Sequence, residues 1–258
     1  MKTFTHNSGQ SVETDGANIY YEEIGNNKDK PALLMLHGGY ESIENLNSMA
    51  AYLSDDFRVI GIDSRGHGKS TLGNKKLTYE QLQIDAETVL KHLKISIVNI
   101  IGFSDGGIVA CRIAANNNLK VNKLITIGSS WKNDDIEAIV DILKTITPET
   151  AEEYFPENVK DYHRLNPKPN FGALNQCVLA METDKTETGH PNEKVKNISA
   201  ETLVIRGDND FLVSSESLVE LQTEIKGSSF LNVPFAEHVV HEEQPQVIEI
   251  ILKQFLNI

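Results

Sequence analysis

The sequence predicts an α/β protein in which a mostly parallel sheet is covered by helices on both faces. Three observations carry that expectation. Short runs of apolar or β-branched residues, such as ALLML at 32–36 and LITI at 124–127, recur along the chain, and such runs mark strands buried on both faces. Segments of helical periodicity separate them, which implies βαβ units. Serine, aspartate and histidine gather just after the apolar runs. That is the edge where ligands bind in open parallel sheets.

Taken in order, the first 25 residues hold turn signals, Asn7-Ser8-Gly9 and Asp15-Gly16, around the strand-like stretch 18–22. They predict an antiparallel hairpin. A strand at 32–36 precedes a helical face of Leu46, Met49, Ala50 and Leu53, and a second strand covers 57–62. The helix expected over 78–93 starts at Thr78, with Gln81 placed to complete a capping box. Its apolar stripe is Leu82, Ala86, Val89, Leu90 and Leu93. Further strands are expected at 98–103, 123–128, 202–205 and 230–233, with helices after the third of these, from Ser214, and over 245–256 after the last. Between 130 and 199 no strand pattern is found, and Pro148, Pro156, Pro167, Pro169 and Pro191 interrupt the segment. A structureless loop of that length does not fit a compact domain. The expectation is a core of residues 1–129 and 200–258 with a mainly helical cap, 130–199, inserted between two core strands.

Composition removes several classes of function. A net charge of −13 argues against a nucleic-acid partner, because phosphates need cationic neutralisation. Two cysteines make no disulfide framework, and Cys111 sits in an apolar helix as a small hydrophobe. The first ten residues, MKTFTHNSGQ, have no apolar h-region, and no apolar run reaches spanning length. The expected location is cytoplasmic, with no membrane partner, and no oligomeric state is assigned. No H-E-x-x-H or C-x-x-C spacing is present, so neither a metal nor a cofactor is expected.

The sharpest local signal is GFSDGG at 102–107, between a β-branched run and an apolar helix. Ser104 falls where strand becomes helix, and glycines around it permit a sharp turn and close backbone approach. This fits the G-x-S-x-G elbow that presents a nucleophilic serine, with the backbone N–H of the next residue, Asp105, facing the developing oxyanion. A hydroxyl needs a base, and two histidines follow the last strand, His238 and His241. The acid that orients the base has two candidates after 202–205, Asp208 and Asp210. A third position, after 125–127, offers no carboxylate until Asp134.

Five segments in order, His37-Gly38-Gly39, DSRGHGKS at 63–70, GFSDGG, RGDND at 206–210 and AEHVVHE at 236–242, resemble the signature segments of the α/β-hydrolase superfamily. The resemblance covers nearly the whole chain outside the cap and points to a small esterase-like serine hydrolase. It implies Ser104 as nucleophile, His238 as base and Asp210 as orienting acid, in the family's chain order. It places the second oxyanion amide at Gly39, with Tyr40 as the alternative donor, and makes the Asp63, Arg65 and His67 turn structural. His37 is expected to be structural, His241 a surface or packing residue, and Asp208 a turn residue capping local N–H groups. The implied reaction is hydrolysis of a small carboxylic ester through an acyl-enzyme, with aminoacyl esters and thioesters in range. Carbon–carbon hydrolysis, cofactor-free perhydrolysis and ligand binding without turnover are the competing readings. Tyr40, Asp105 and Trp131 are the expected substrate contacts. Asp105 either complements its helix dipole or receives a positive group such as an α-amine. The cap aromatics Trp131, Tyr154, Phe155, Tyr162 and Phe171 are expected to divide between pocket lining and packing.

Overall fold

The computed structural model describes residues 2–25 and 28–258. Eight strands form one sheet: β1 (Gln10–Thr14), β2 (Ala17–Ile24), β3 (Ala32–Leu36), β4 (Arg58–Ile62), β5 (Ile97–Phe103), β6 (Lys120–Ile127), β7 (Glu201–Gly207) and β8 (Ser229–Val233). Their spatial order is β1-β2-β4-β3-β5-β6-β7-β8. The hairpin of β1 and β2 turns through Asp15 and Gly16, both at positive φ (46° and 77°), the conformation that matches strand twist in two-residue turns. β2 pairs antiparallel with β4, and every later pairing is parallel.

Side chains alternate between two apolar faces, as strand geometry requires. Leu34, Leu36, Ile100, Leu124 and Val204 enter one core cluster, while Leu33, Met35, Ile101, Ile125 and Ile205 enter the other. The first face is covered by α2 (Tyr79–His92) and α3 (Asp105–Asn116), the second by α1 (Asn47–Leu53) and α10 (Pro245–Leu256). Both faces being apolar is why these strands read as unbroken hydrophobic runs. β6 starts at Lys120, three residues before the expected strand, because the polar Lys120 and Asn122 at its exposed beginning hide the pattern.

Between β6 and β7 lie α4 (Asn133–Leu143), α5 (Pro148–Tyr154), α6 (Pro156–Leu165), α7 (Phe171–Glu182) and a 3₁₀ turn, Asn192–Asn197. Pro148 and Pro156 open helices rather than break them, since proline lacks only an N–H that the first turn leaves unpaired. Val159, Leu174, Val178 and Met181 of this segment belong to the same core cluster as the buried residues of α2 and α3. Asn166 donates to the carbonyls of Gly66, Gly68 and Ser70, and Arg112 donates to those of Glu187 and Gly189. The remaining helices are α8 (Ser215–Glu224) and α9 (Val240–Glu243). No helix among the described residues is long and apolar enough to cross a membrane.

One cap differs from expectation. Thr78 accepts from the Gln81 amide at 3.0 Å, but the Gln81 side chain does not return the bond. Its amide donates instead to Asp85 at 3.0 Å, which is already held by both arms of Arg65 at 2.8 and 2.7 Å.

Candidate active site

Ser104 sits at the N-cap of α3 with φ 50° and ψ −121°, backbone that L-residues avoid and that costs on the order of 1–3 kcal/mol. The tightness of the turn fixes its neighbours. A Cβ on Gly106 would stand 2.3 Å from the Leu36 carbonyl oxygen, so the elbow closes only with glycine there. The turn lifts Ser104 to the carboxyl edge of the sheet, over the N-terminus of α3.

His238, in the loop after β8, brings Nε2 to 3.1 Å from Ser104 Oγ. Its Nδ1 lies 2.9 Å from Asp210 Oδ2. With Nδ1–H donating to the carboxylate, Nε2 keeps its lone pair toward the serine hydroxyl. Burial pushes the Asp210 carboxyl up, but the His238 contact and the amides of Leu212 and Val213 outweigh it, and the net direction is downward. Those amides donate to Oδ1 at 2.9 and 3.2 Å. The local capping expected of Asp208 therefore belongs to Asp210. Asp208 instead accepts from the Asn232 side chain at 2.6 Å, because its carboxylate faces the neighbouring strand. His241 is buried, packs edge-on against Phe103 at 4.7 Å and is held neutral, with burial pulling its pKa down to about 4.

Arg206 is a residue that sequence reading passed over. Its guanidinium donates to the carbonyls of Val213, Asp208 and Asp210 at 2.7, 3.0 and 3.0 Å, so one planar fork braces the whole loop that carries Asp210. The arginine opening RGDND was the available signal.

After β3, His37 donates from Nδ1 to the Gly38 carbonyl at 2.7 Å and accepts the Ser64 amide at Nε2, 2.9 Å. Burial lowers its pKa, in keeping with a neutral ring that holds two loops together. The amides of Gly39, Tyr40 and Asp105 donate to no acceptor among the described residues. Asp63 accepts from the Ile43 and Lys69 amides and from His6, which makes the 63–70 turn a bracing element.

A cavity of about 540 Å³ opens above Ser104 and His238, lined by Gly39, Tyr40, Phe155 and Leu212 among others. Tyr40 stacks on Phe155 at 5.2 Å and donates to Asn175 at 3.0 Å. Tyr154 and Phe155 also face this space, whereas Tyr162 and Phe171 are packed inside. Trp131 departs from its expected role as a substrate contact. It is 3% exposed and absent from the cavity wall, because its indole N–H donates at 3.0 Å to the Ser217 carbonyl and hydroxyl.

Residues 31–161 match the model of a family described as alpha/beta hydrolase fold. The chain belongs to that family. A Haemophilus influenzae protein provisionally named as an esterase/lipase is 25% identical, covering 98% of this chain and 93% of its own. The 3-oxoadipate enol-lactonase 2 of Acinetobacter baylyi is 26% identical over 88% of this chain and 90% of that protein. Among solved structures, a thermophilic esterase from Thermogutta terrifontis superposes with a TM-score of 0.74 at 22% identity, covering 96% of this chain and 98% of that one. This α/β-hydrolase is accordingly a hydrolytic enzyme.

Proposed function

We propose that this α/β-hydrolase cleaves a small carboxylic ester through an acyl-enzyme on Ser104. The observation that carries the reading is the continuous relay from Asp210 Oδ2 through His238 to Ser104 Oγ, with steps of 2.9 and 3.1 Å, at the floor of the 540 Å³ cavity. His238 Nε2 takes the hydroxyl proton as Ser104 Oγ bonds to the acyl carbon. Asp210 holds the ring and stabilises the imidazolium without itself taking the proton. The amides of Gly39 and Asp105, unspent among the described residues, are the proposed donors to the oxyanion, the interaction that commonly contributes most to acyl transfer. Collapse of the tetrahedral intermediate expels the alcohol, which leaves with the proton from His238. Water activated by the same ring then releases the acid.

Residues 130–199 act as the cap in this reading. Ile142, Leu143, Ile146, Tyr154 and Phe155 supply an apolar wall from that segment, which suits the non-polar part of a small ester. The test is a short p-nitrophenyl ester series under rapid mixing. A burst of p-nitrophenolate equal to the enzyme concentration, with an acyl group on Ser104 by peptide mapping, is expected. Turnover that persists in Ser104→Ala at more than a tenth of the native rate contradicts the assignment.

A further inference from the structure

The loop after β3 is held from two sides. On the core side both polar backbone groups of Gly38 are taken. Its carbonyl accepts from His37 Nδ1 at 2.7 Å, and its amide donates to Glu41 Oε2 at 2.9 Å. On the other side stands Tyr40, at φ 61°. That is the left-handed region, which a bulky L-residue enters only at a cost, and such strain persists where the surroundings over-determine the residue. At Tyr40 those surroundings are the inserted segment. The ring stacks on Phe155 at 5.2 Å and lies 5.8 Å from Phe171. The hydroxyl donates to Asn175 Oδ1 at 3.0 Å, and the Asn175 amide in turn donates to the Ile146 carbonyl at 3.1 Å.

These partners come from separate places in the segment. Ile146 precedes α5, Phe155 joins α5 to α6, and Phe171 and Asn175 belong to α7. One side chain of the core thus gathers several cap elements at one point. Tyr40 and Asn175 are both buried, so breaking their bond leaves unpaired polar groups out of reach of water. Between the two anchored residues lies Gly39, which has no side chain to fix itself, and its amide donates to no acceptor among the described residues. That amide shares a peptide plane with the Gly38 carbonyl. The bond from His37 holds the carbonyl end of the plane. The amide end is free to swing until the chain is anchored again, and the next anchored residue is Tyr40.

We propose that Tyr40 and Asn175 are positioning residues, and that through the bond between them the inserted segment fixes the Gly39 amide in its direction toward the oxyanion. Asn175 is not among the residues lining the catalytic cavity, so it reaches the reaction only through Tyr40. Oxyanion donors act from about 2.7–3.1 Å. Release of the loop by less than an ångström therefore weakens the transition state more than it weakens substrate binding. The inference rests on the acyl-enzyme reading of Ser104 with Gly39 as an oxyanion donor.

The test measures kcat/KM for 4-nitrophenyl acetate and for its thiono analogue, in which sulfur replaces the carbonyl oxygen. The proteins are the native chain, Tyr40→Phe, Asn175→Leu and the double variant, and each rate is referenced to the ester's reactivity with hydroxide. Sulfur is larger than oxygen and a weak acceptor, so the preference for the oxo ester reads the fit of the oxyanion donors. As a ratio within one sample it is indifferent to the folded fraction. The native chain is expected to prefer the oxo ester about 100-fold. Each single variant should cut that preference about tenfold, with a similar fall in kcat and a smaller change in KM. The double variant should match the worse single variant, because all three lose the same bond. A preference unchanged in either single variant, or losses that multiply in the double variant, would overturn the tether and leave the oxyanion reading standing. A native chain without the preference would contradict Gly39 and Asp105 as oxyanion donors, and hydrolysis of neither ester would contradict the acyl-enzyme reading. The inference falls with either.

Discussion

Arg206 holds Asp210 from behind. The guanidinium donates to the Asp210 carbonyl at 3.0 Å while the carboxylate of the same residue faces His238 at 2.9 Å. Two further bonds from Arg206, to Val213 and Asp208, fix both sides of the loop, so the proposed orienting acid sits on a clamp rather than on a free turn. Removing the clamp should displace Asp210 and with it the His238 ring. Arg206→Ala is expected to lower kcat about 10- to 100-fold, the scale on which small misplacements act, with a smaller change in KM. Arg206→Lys should recover only part of the loss, since an ammonium does not reproduce the planar fork. Steady-state kinetics of both variants decide this, and an unaltered kcat in Arg206→Ala would remove the positioning role.

The backbone at Ser104 should be more stable without its side chain. At φ 50° and ψ −121° a Cβ is strained, and glycine is not. Both Ser104→Ala and Ser104→Gly should lose activity. The glycine variant should nonetheless melt roughly 2–4 °C above the alanine variant, as about 1 kcal/mol does for a chain of this size. Calorimetry of the two proteins measures the difference, and equal melting points would mean that the elbow is unstrained.

Gly39→Ala tests the proposed oxyanion role of the loop after β3. The added methyl would meet Asp105 Oδ2 at 3.0 Å and Glu182 Oε1 at 3.4 Å, so the loop must shift by a few tenths of an ångström and carry its amide with it. A loss of about 10²-fold in kcat is expected, the usual effect of one misplaced oxyanion donor, with KM changing less. A loss under threefold would place the second donor elsewhere.

His6 links stability to pH. Its ring is buried between Glu44 at 2.7 Å and Asp63 at 2.8 Å. Burial alone would lower its pKa, but the two carboxylates outweigh that and the net direction is upward. The folded chain therefore holds a proton that the unfolded chain releases near pH 6.5. The resulting stabilisation is fully present below that value and is lost as pH rises through the higher folded pKa. In urea unfolding, His6→Gln should be least stable relative to the native chain near pH 5–6, and the gap should narrow toward pH 9. A gap constant over that range would mean that His6 is not the proton holder.

Much of this architecture was legible in the sequence because it rests on strong local signals. The continuous apolar runs of β3, β4 and β5 could be read since both of their faces meet core. The glycines of the elbow could be read since backbone contacts there leave no room for a side chain. Less legible was everything decided by long-range pairing. Nothing local separates the carboxylate of Asp208 from that of Asp210, and only the fold turns one to Asn232 and the other to His238. Trp131 resembles a pocket aromatic until Ser217, 86 positions later, takes its indole N–H. Glu182 lies in an otherwise apolar helix end, and nothing local shows that α7 carries it to within reach of Gly39. The early start of β6 was hidden because polar, solvent-facing Lys120 and Asn122 flank the buried Val121.

The central claim, an activated serine at the elbow of this α/β-hydrolase, is tested most directly by intact-mass spectrometry after exposure to a fluorophosphonate. Native protein should gain the mass of one adduct, mapped to Ser104, while Ser104→Ala gains none and His238→Ala reacts far more slowly. A folded native chain that gains no adduct, or an adduct that persists in Ser104→Ala, would contradict the account.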